Sequence, residues 1–237
     1  MICDCDFYTH TGGRSRNEDS LCVTENGESK LFAVADGLGG ESFGKTASET
    51  AVSVLENHFK NGAEYDIANA VQDANARILK KQRELNCKMK TTVAAVVVNG
   101  GGVTAVHAGD SRIYAFKDNE IVFQSRDHSV SQMAVDAGEI RPSQIRRHPD
   151  RNVLTKALGA CENIMIDTTK LDAQKLDAML LCTDGFWEYV LERDMTDTLK
   201  KADSSRKWLS DMRCILESVK PADNDNNTAI AIIFKGM

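Results

Sequence analysis

Hydrophobic and polar positions fall into two patterns along the chain. Short runs rich in Val, Ile, Phe, Ala and Thr are separated by brief glycine- or asparagine-containing breaks, and longer stretches carry apolar residues every three or four positions. SLCVTE (20–25) and KLFAVAD (30–36) flank Asn-Gly-Glu-Ser, a strong hairpin signal. With NGES as the loop, Glu25 faces Lys30, and counting outward pair by pair sets Asp19 opposite Asp36. TTVAAVVV (91–98), VTAVHA (103–108), IYAF (113–116) and IVFQ (121–124) follow one another across loops of about four residues, too short for parallel crossovers, which predicts an antiparallel meander. AMLLCTDG (178–185) reads as a buried strand running into Asp184, and DNNTAIAIIF (225–234) as a strand starting after Asp225. As antiparallel neighbours they would bring both acids to one sheet end. Helical spacing marks residues 44–60, 65–85 and 204–220. Strand blocks separated from helix blocks predict an α+β fold with helices packed on antiparallel sheets.

The length of 237 residues fits one domain, 1–237, and 42% hydrophobic content can fill its core. The net charge of −6 argues against a general nucleic-acid binder and suits a protein that gathers cations. No apolar stretch approaches the roughly 20 residues of a spanning helix, and the start, MICDCDFYTHTGG, has neither a basic nor an apolar leader region. A cytoplasmic protein without a membrane partner is expected. Seven cysteines, an odd number mostly in apolar runs, read as reduced core thiols. His10, His58, His107 and His128 read as structural.

GGESFGKT (39–46) matches the phosphate-loop pattern G-x-x-x-x-G-K-[ST] after an apolar run. Its surroundings decide against it. Nucleotide hydrolases of that type rest on parallel sheets, this chain shows hairpins, and Glu41 would sit among amides that should face phosphate.

Acids instead collect where predicted strands meet turns: Glu18 and Asp19, Asp36, Asp110, Asp184 and Asp225. Any one of them is an ordinary turn residue. Crowded at one sheet end they would repel, and they must take up protons or bind cations. All-oxygen donors without clustered His or Cys select Mg²⁺ or Mn²⁺. Several carboxylates can hold two such ions, an arrangement suited to hydrolysing phosphate esters, and Arg14 in the same loop as Asp19 offers a planar two-pronged donor for phosphate.

At this point the chain resembles the metal-dependent protein phosphatases, the protein phosphatase 2C-like enzymes of bacterial type. The segments R-x-x-N-E-D (14–19), V-A-D-G-x-G-G (34–40), G-D-S-R (109–112), T-D-G-x-W-E (183–188) and D-N-x-T (225–228) stand in the family's order across nearly the whole chain. The resemblance implies a β-sandwich of two antiparallel sheets flanked by helices. It also implies a serine/threonine phosphoprotein phosphatase with two Mg²⁺ or Mn²⁺ ions, in which a bridging water attacks phosphorus in line and no phosphoenzyme forms. By position Asp36 bridges the metals, Asp184 and Asp225 complete one, and the Gly37 carbonyl with Glu18 and Asp19 serves the other. Asp110 with Asp184 matches a third, weaker site, and Arg14 matches the phosphate-binding arginine. Residues 127–159 look like the family's flap. Its Arg141, Arg146, Arg147, His148 and Arg151 form a basic patch suited to a phosphorylated peptide, with Arg147 and His148 the expected substrate contacts. Expected partners are phosphorylated Ser/Thr proteins, a cognate kinase among them, and the expected state is a monomer. Leu38 departs from animal relatives, which carry a histidine there, so the leaving-group proton needs another source. A catalytically silent, partner-binding relative would typically have lost a metal aspartate, and this chain has lost none.

Overall fold

The computed structural model describes residues 2–39, 43–61, 65–100 and 102–235. Two five-stranded antiparallel sheets face each other. In one the order is β1 (Ile2–His10), β12 (Asn227–Lys235), β11 (Ala178–Cys182), β8 (Arg112–Lys117) and β9 (Glu120–Gln124). In the other it is β10 (Asp167–Asp172), β7 (Gly102–Ala108), β6 (Val93–Asn99), β3 (Ser29–Ala35) and β2 (Ser20–Asn26). A two-stranded ribbon, β4 (Gly37–Leu38) with β5 (Lys90–Thr91), extends past the end of β3.

Helices α1 (Phe43–Asn61) and α2 (Ile67–Leu85) cover the second sheet; α5 (Glu192–Leu199) and α6 (Ser205–Val219) cover the first. Both faces of each central strand are therefore buried, which explains their unbroken apolar runs. In β3, Phe32 and Val34 point between the sheets, towards Ile113, Met179, Leu181 and Ile230. Leu31, Ala33 and Ala35 point outward onto α1 and α2. The result is four layers, helix, sheet, sheet, helix, as expected of the family resembled.

The helix ends follow their local chemistry. Asp66 caps α2 by accepting from the amides of Ala68 and Asn69, and Ser204 caps α6 by accepting from Lys207. Asn86, at φ 47°, closes α2 in the left-handed conformation.

Three expectations change. The NGES loop is tighter than four residues: Asn26 pairs with Ser29, leaving Gly27-Glu28 as a two-residue turn with Gly27 at φ +59°. The Glu25–Lys30 register is as read, and Asp19 and Asp36 lie one step past the last pair, Ser20 with Ala35. The predicted single meander is instead two hairpins in different sheets, because the chain crosses from β7 to β8 at residues 109–111. Gly109 makes that corner at φ +106°, where a side chain would press on Thr92 at 2.6 Å. Thirdly, the thiols are not all in the core: Cys3, Cys22 and Cys182 are buried, whereas Cys161 and Cys214 are exposed. All seven are unpaired. No helix among the described residues is long and apolar enough to cross a membrane.

Residues 127–159 leave the sandwich between β9 and β10. They contain α3 (Val130–Asp136) and a short 3-10 turn, Pro142–Arg147, and bridges of Ser129 with Leu154 and of Thr91 with Leu158 pin their return leg.

Trp208 of α6 is fully buried, stacks edge-on against Phe116 at 5.2 Å, and donates its indole N–H to the Met195 carbonyl. It ties α5, α6 and the first sheet together. Trp208→Ala is expected to cost about 3–5 kcal/mol of unfolding free energy, read as a lowered urea midpoint at unchanged m-value.

Candidate metal centre

The strand ends deliver the acids to one rim. Antiparallel pairing of Cys182 with Ala229 carries Asp184 and Asp225 to the same edge of the first sheet. Asp19 and Asp36 emerge from the matching end of the second sheet, and the Gly109 corner holds Asp110 between them. Arg14, Glu18, Asp36, Gly37, Asp110, Asp184 and Asp225 all line one open cavity of about 670 Å³. Asp19 lies behind its wall, 1% exposed.

Neutral donors fix these carboxylates. Thr183 and Thr228 donate their hydroxyls to Asp19 Oδ2 at 2.9 and 2.7 Å. The Gly185 amide donates to Asp184 Oδ1 at 2.6 Å and the Asn226 amide to Asp225 Oδ1 at 2.8 Å. Asp36 is held through its backbone: its amide donates to Thr92 Oγ1, and its carbonyl accepts from Thr91 Oγ1 and the Thr92 amide. Trp187 donates to the Asp110 carbonyl at 2.9 Å. Gly44 lets α1 approach closely, since a Cβ there would lie 2.7 Å from the Gly37 carbonyl oxygen and 2.8 Å from Glu18 Oε2.

The electrostatics are those of a nest with too little positive charge. Burial, then Asp184, Asp19 and Asp110, push the Asp36 carboxyl well up. Burial, then Asp110 and Asp225, do the same to Asp184. Burial raises Asp110 to about 7, with Asp127 adding to the effect. Burial also raises Asp19 to about 7 against the opposing Thr228 and Thr183 hydroxyls. Among the described residues Asp19 Oδ1 has no hydrogen-bond partner although it is buried, an arrangement that calls for a cation. The donor set is all oxygen, so it fits hard divalent ions.

Arg14 grips Asp225 with two hydrogen bonds, Nε to Oδ1 at 3.0 Å and Nη2 to Oδ2 at 2.8 Å, at a side-chain exposure of 55%. It stands at the cavity mouth, on the carboxylate it would leave to meet a phosphate.

Arg147 and His148 are not brought to this site. They lie on a different groove with Ile140, Pro149, Leu191 and Arg193, and the flap residues that reach the carboxylate cavity are Asn152 and Leu154. Two members of the basic patch are paired with acids, Arg146 with Glu192 at 2.6 Å and Arg151 with Glu188 at 2.5 Å. The physical reason lies in the segment's own fold: the 3-10 turn directs 142–148 towards the start of α5, and only the extended return leg faces the metal rim. Gly40 and Glu41, part of the motifs read above, lie outside the described residues.

The sequence reading missed Thr183, Thr228 and Asn226 as supports of the acids. Thr183 and Thr228 stand within the quoted motifs, and a hydroxyl placed on each side of the central strand pair was the available signal. His107 and His128 stack at 4.7 Å, nearly parallel, beside Asp167. Lys156 Nζ lies 3.1 Å from His128 Nε2 and 3.2 Å from Asp167, so a cation is already supplied there. Burial, His107 and Lys156 depress His128 to about 4, which keeps it neutral and structural.

Comparison with known proteins places this geometry. The model of the family described as Protein phosphatase 2C matches residues 8–227. The chain belongs to that family. It is 33% identical to the serine/threonine phosphatase stp of Listeria welshimeri over 208 residues, 82% of each protein. Its fold superposes on the serine/threonine phosphatase Stp1 of Staphylococcus aureus with a TM-score of 0.90 at 26% identity, covering 100% of this chain and 96% of that one. The catalytic domain of the phosphatase PstP, solved in complex with two manganese ions, gives a TM-score of 0.81 at 25% identity, with 98% and 97% covered.

Because the folded-state carboxyls titrate above their unfolded value of about 4, the metal-free fold is favoured below that value, and the advantage disappears as pH rises through about 7. In EDTA, Asp36→Asn is expected to melt higher than the parent at pH 8, with the gap closing towards pH 4. Thermal melts followed by circular dichroism check the sign, and a parent that melts higher than the variant at pH 8 would contradict it.

Proposed function

We propose that the chain, a serine/threonine phosphatase by family, hydrolyses phosphoserine and phosphothreonine in proteins at this rim with two divalent ions, Mg²⁺ or Mn²⁺. The single observation that carries the reading is the convergence of Asp36, Asp110, Asp184 and Asp225 on one cavity, with the unpartnered Asp19 Oδ1 behind it and Arg14 at the mouth. Asp36 stands between the two sheets' contributions and would be shared by both ions. Asp184 and Asp225 would hold one; the Gly37 carbonyl with Glu18 and Asp19 would serve the other. Asp110, beside Asp184, is placed for a third and weaker ion. When bound, such ions lower the pKa of water and neutralise phosphate charge.

The remaining work falls to the chain's own groups. Arg14 turns from Asp225 to two phosphate oxygens, a bidentate contact that strengthens as charge builds during in-line displacement. Thr183, Thr228 and the Gly185 and Asn226 amides keep the carboxylates from collapsing or splaying, so no reorganisation is needed during the reaction. This reading has the phosphoryl group pass directly to water, with no phosphoenzyme formed. Leu38 has no proton to give, and His148 lies on another groove, so the departing alkoxide takes its proton from solvent in the open cavity.

The chain is expected to release nitrophenol from p-nitrophenyl phosphate with Mn²⁺ and to stop on addition of EDTA. Asp184→Asn should lower turnover of a phosphothreonine peptide by more than about a hundredfold with the circular dichroism spectrum unchanged. Parent-level turnover by that folded variant rejects the reading. Arg14→Ala should raise KM for the peptide more than tenfold, roughly the loss of a charge-assisted pair.

A further inference from the structure

A second groove, of about 410 Å³, opens directly off the carboxylate cavity and shares Leu38, Asn152 and Leu154 with it. Its other walls include Val153, Ala157 and Lys90. The two spaces differ in chemistry: the cavity floor is carboxylate, whereas this groove has no acid among its lining residues and sets Leu38, Val153, Leu154, Ala157 and Ala160 beside Lys90, Asn152, Thr155 and Lys156.

The groove is built, not incidental. Leu38 and Lys90 are paired across the β4–β5 ribbon, which forms one wall. The opposite wall is the return leg of the flap segment, fixed to the ribbon by two backbone hydrogen bonds between Thr91 and Leu158, at 3.1 and 2.9 Å. Val153 is held outward by its carbonyl accepting from the Val130 amide and its own amide donating to Asp150, and it remains 49% exposed. Lys156 is drawn to Asp167, and Lys90 stands exposed on the ribbon wall. An exposed apolar wall does nothing for a dianionic phosphate. It suits a side chain that accompanies one.

We propose that this groove is a specificity subsite, taking an apolar side chain within two residues of the phosphorylated serine or threonine. The inference rests on the phosphatase reading above and adds a substrate class to it. An extended peptide advances about 3.3 Å per residue, so a chain whose phosphate enters the carboxylate cavity lays its near neighbours across Leu38, the wall common to both spaces. Leu38 thereby gains a role that the histidine of animal relatives would not fill, since an imidazole at the junction would make the entrance to the groove polar.

The test uses the full chain with Mn²⁺, two phosphothreonine peptides that differ only in carrying Leu or Ser at the positions within two residues of the phosphothreonine, and p-nitrophenyl phosphate, which has no flanking residues. The parent is expected to prefer the Leu peptide by about tenfold in kcat/KM. Val153→Asp should bring that ratio towards one while leaving kcat/KM for p-nitrophenyl phosphate within about twofold. Ala160→Glu, at an exposed position of the same groove, repeats the measurement should Val153→Asp fold poorly. Equal rates on both peptides by a parent that hydrolyses p-nitrophenyl phosphate would overturn the subsite alone, as would a variant whose losses on peptide and small substrate are equal. A parent inert towards p-nitrophenyl phosphate would overturn the phosphatase reading, and the subsite with it.

Discussion

Mutual repulsion among buried carboxylates is the constraint around which this protein is arranged. Burial raises Asp36, Asp110 and Asp184, and neighbouring negative charge adds to it: Asp184, Asp19 and Asp110 at Asp36, Asp110 and Asp225 at Asp184, and Asp127 at Asp110. A fold left to minimise its own energy would disperse them. Here every one follows a strand end or a corner whose position is set by the apolar core, and the supporting groups are neutral hydroxyls and amides, not counter-ions. Neutral support preserves the net negative field that a divalent ion needs, whereas lysines in those places would have cancelled it. The one guanidinium in direct contact, Arg14 on Asp225, sits at the exposed mouth, where it can move without opening the core.

Packing does the positioning. The central strands are apolar throughout and polar at their ends, so a register slip in either sheet would draw a polar end residue into the core and push an apolar one out to the rim, which fixes the strand ends. The close passage of α1 over Gly37 depends on Gly44, and with it the approach of Glu18 to the rim. The Gly109 corner moves the chain from one sheet to the other and presents Asp110 at the junction. The missing Cβ at Gly44 and the positive φ at Gly109 let these elements meet at one site.

Much of this was legible before any coordinates, and the reasons are physical. The hairpin from Ser20 to Ala35 announces its register through Asn-Gly and through strong periodicity, and that register alone sets Asp19 across from Asp36. Strands β11 and β12 betray themselves by unbroken apolar runs, the first leading into Asp184 and the second following Asp225. Three features were not legible. Strand β1, ICDCDFYTH, alternates small, charged and aromatic residues too weakly to declare a face, because it is an edge strand. Strand β10, DTTKLD, is another edge and largely exposed. The crossing at Gly109 looks in sequence like one more tight turn, since a glycine that changes sheets and a glycine that reverses a hairpin carry the same letter. Arg147 and His148 misled for a related reason: charge content is visible along the chain, but the direction in which a 3-10 turn aims it is not.

The pairing of β1 with β12 joins Ile2 to Lys235, and β12 lies between β1 and β11 as an interior strand. The first sheet therefore cannot close until the segment that carries β12 has been made, and the aspartate that precedes that strand arrives with it. A chain interrupted before β12 leaves β1 and β11 without the strand that joins them. Its carboxylate cavity lacks Asp225 as well.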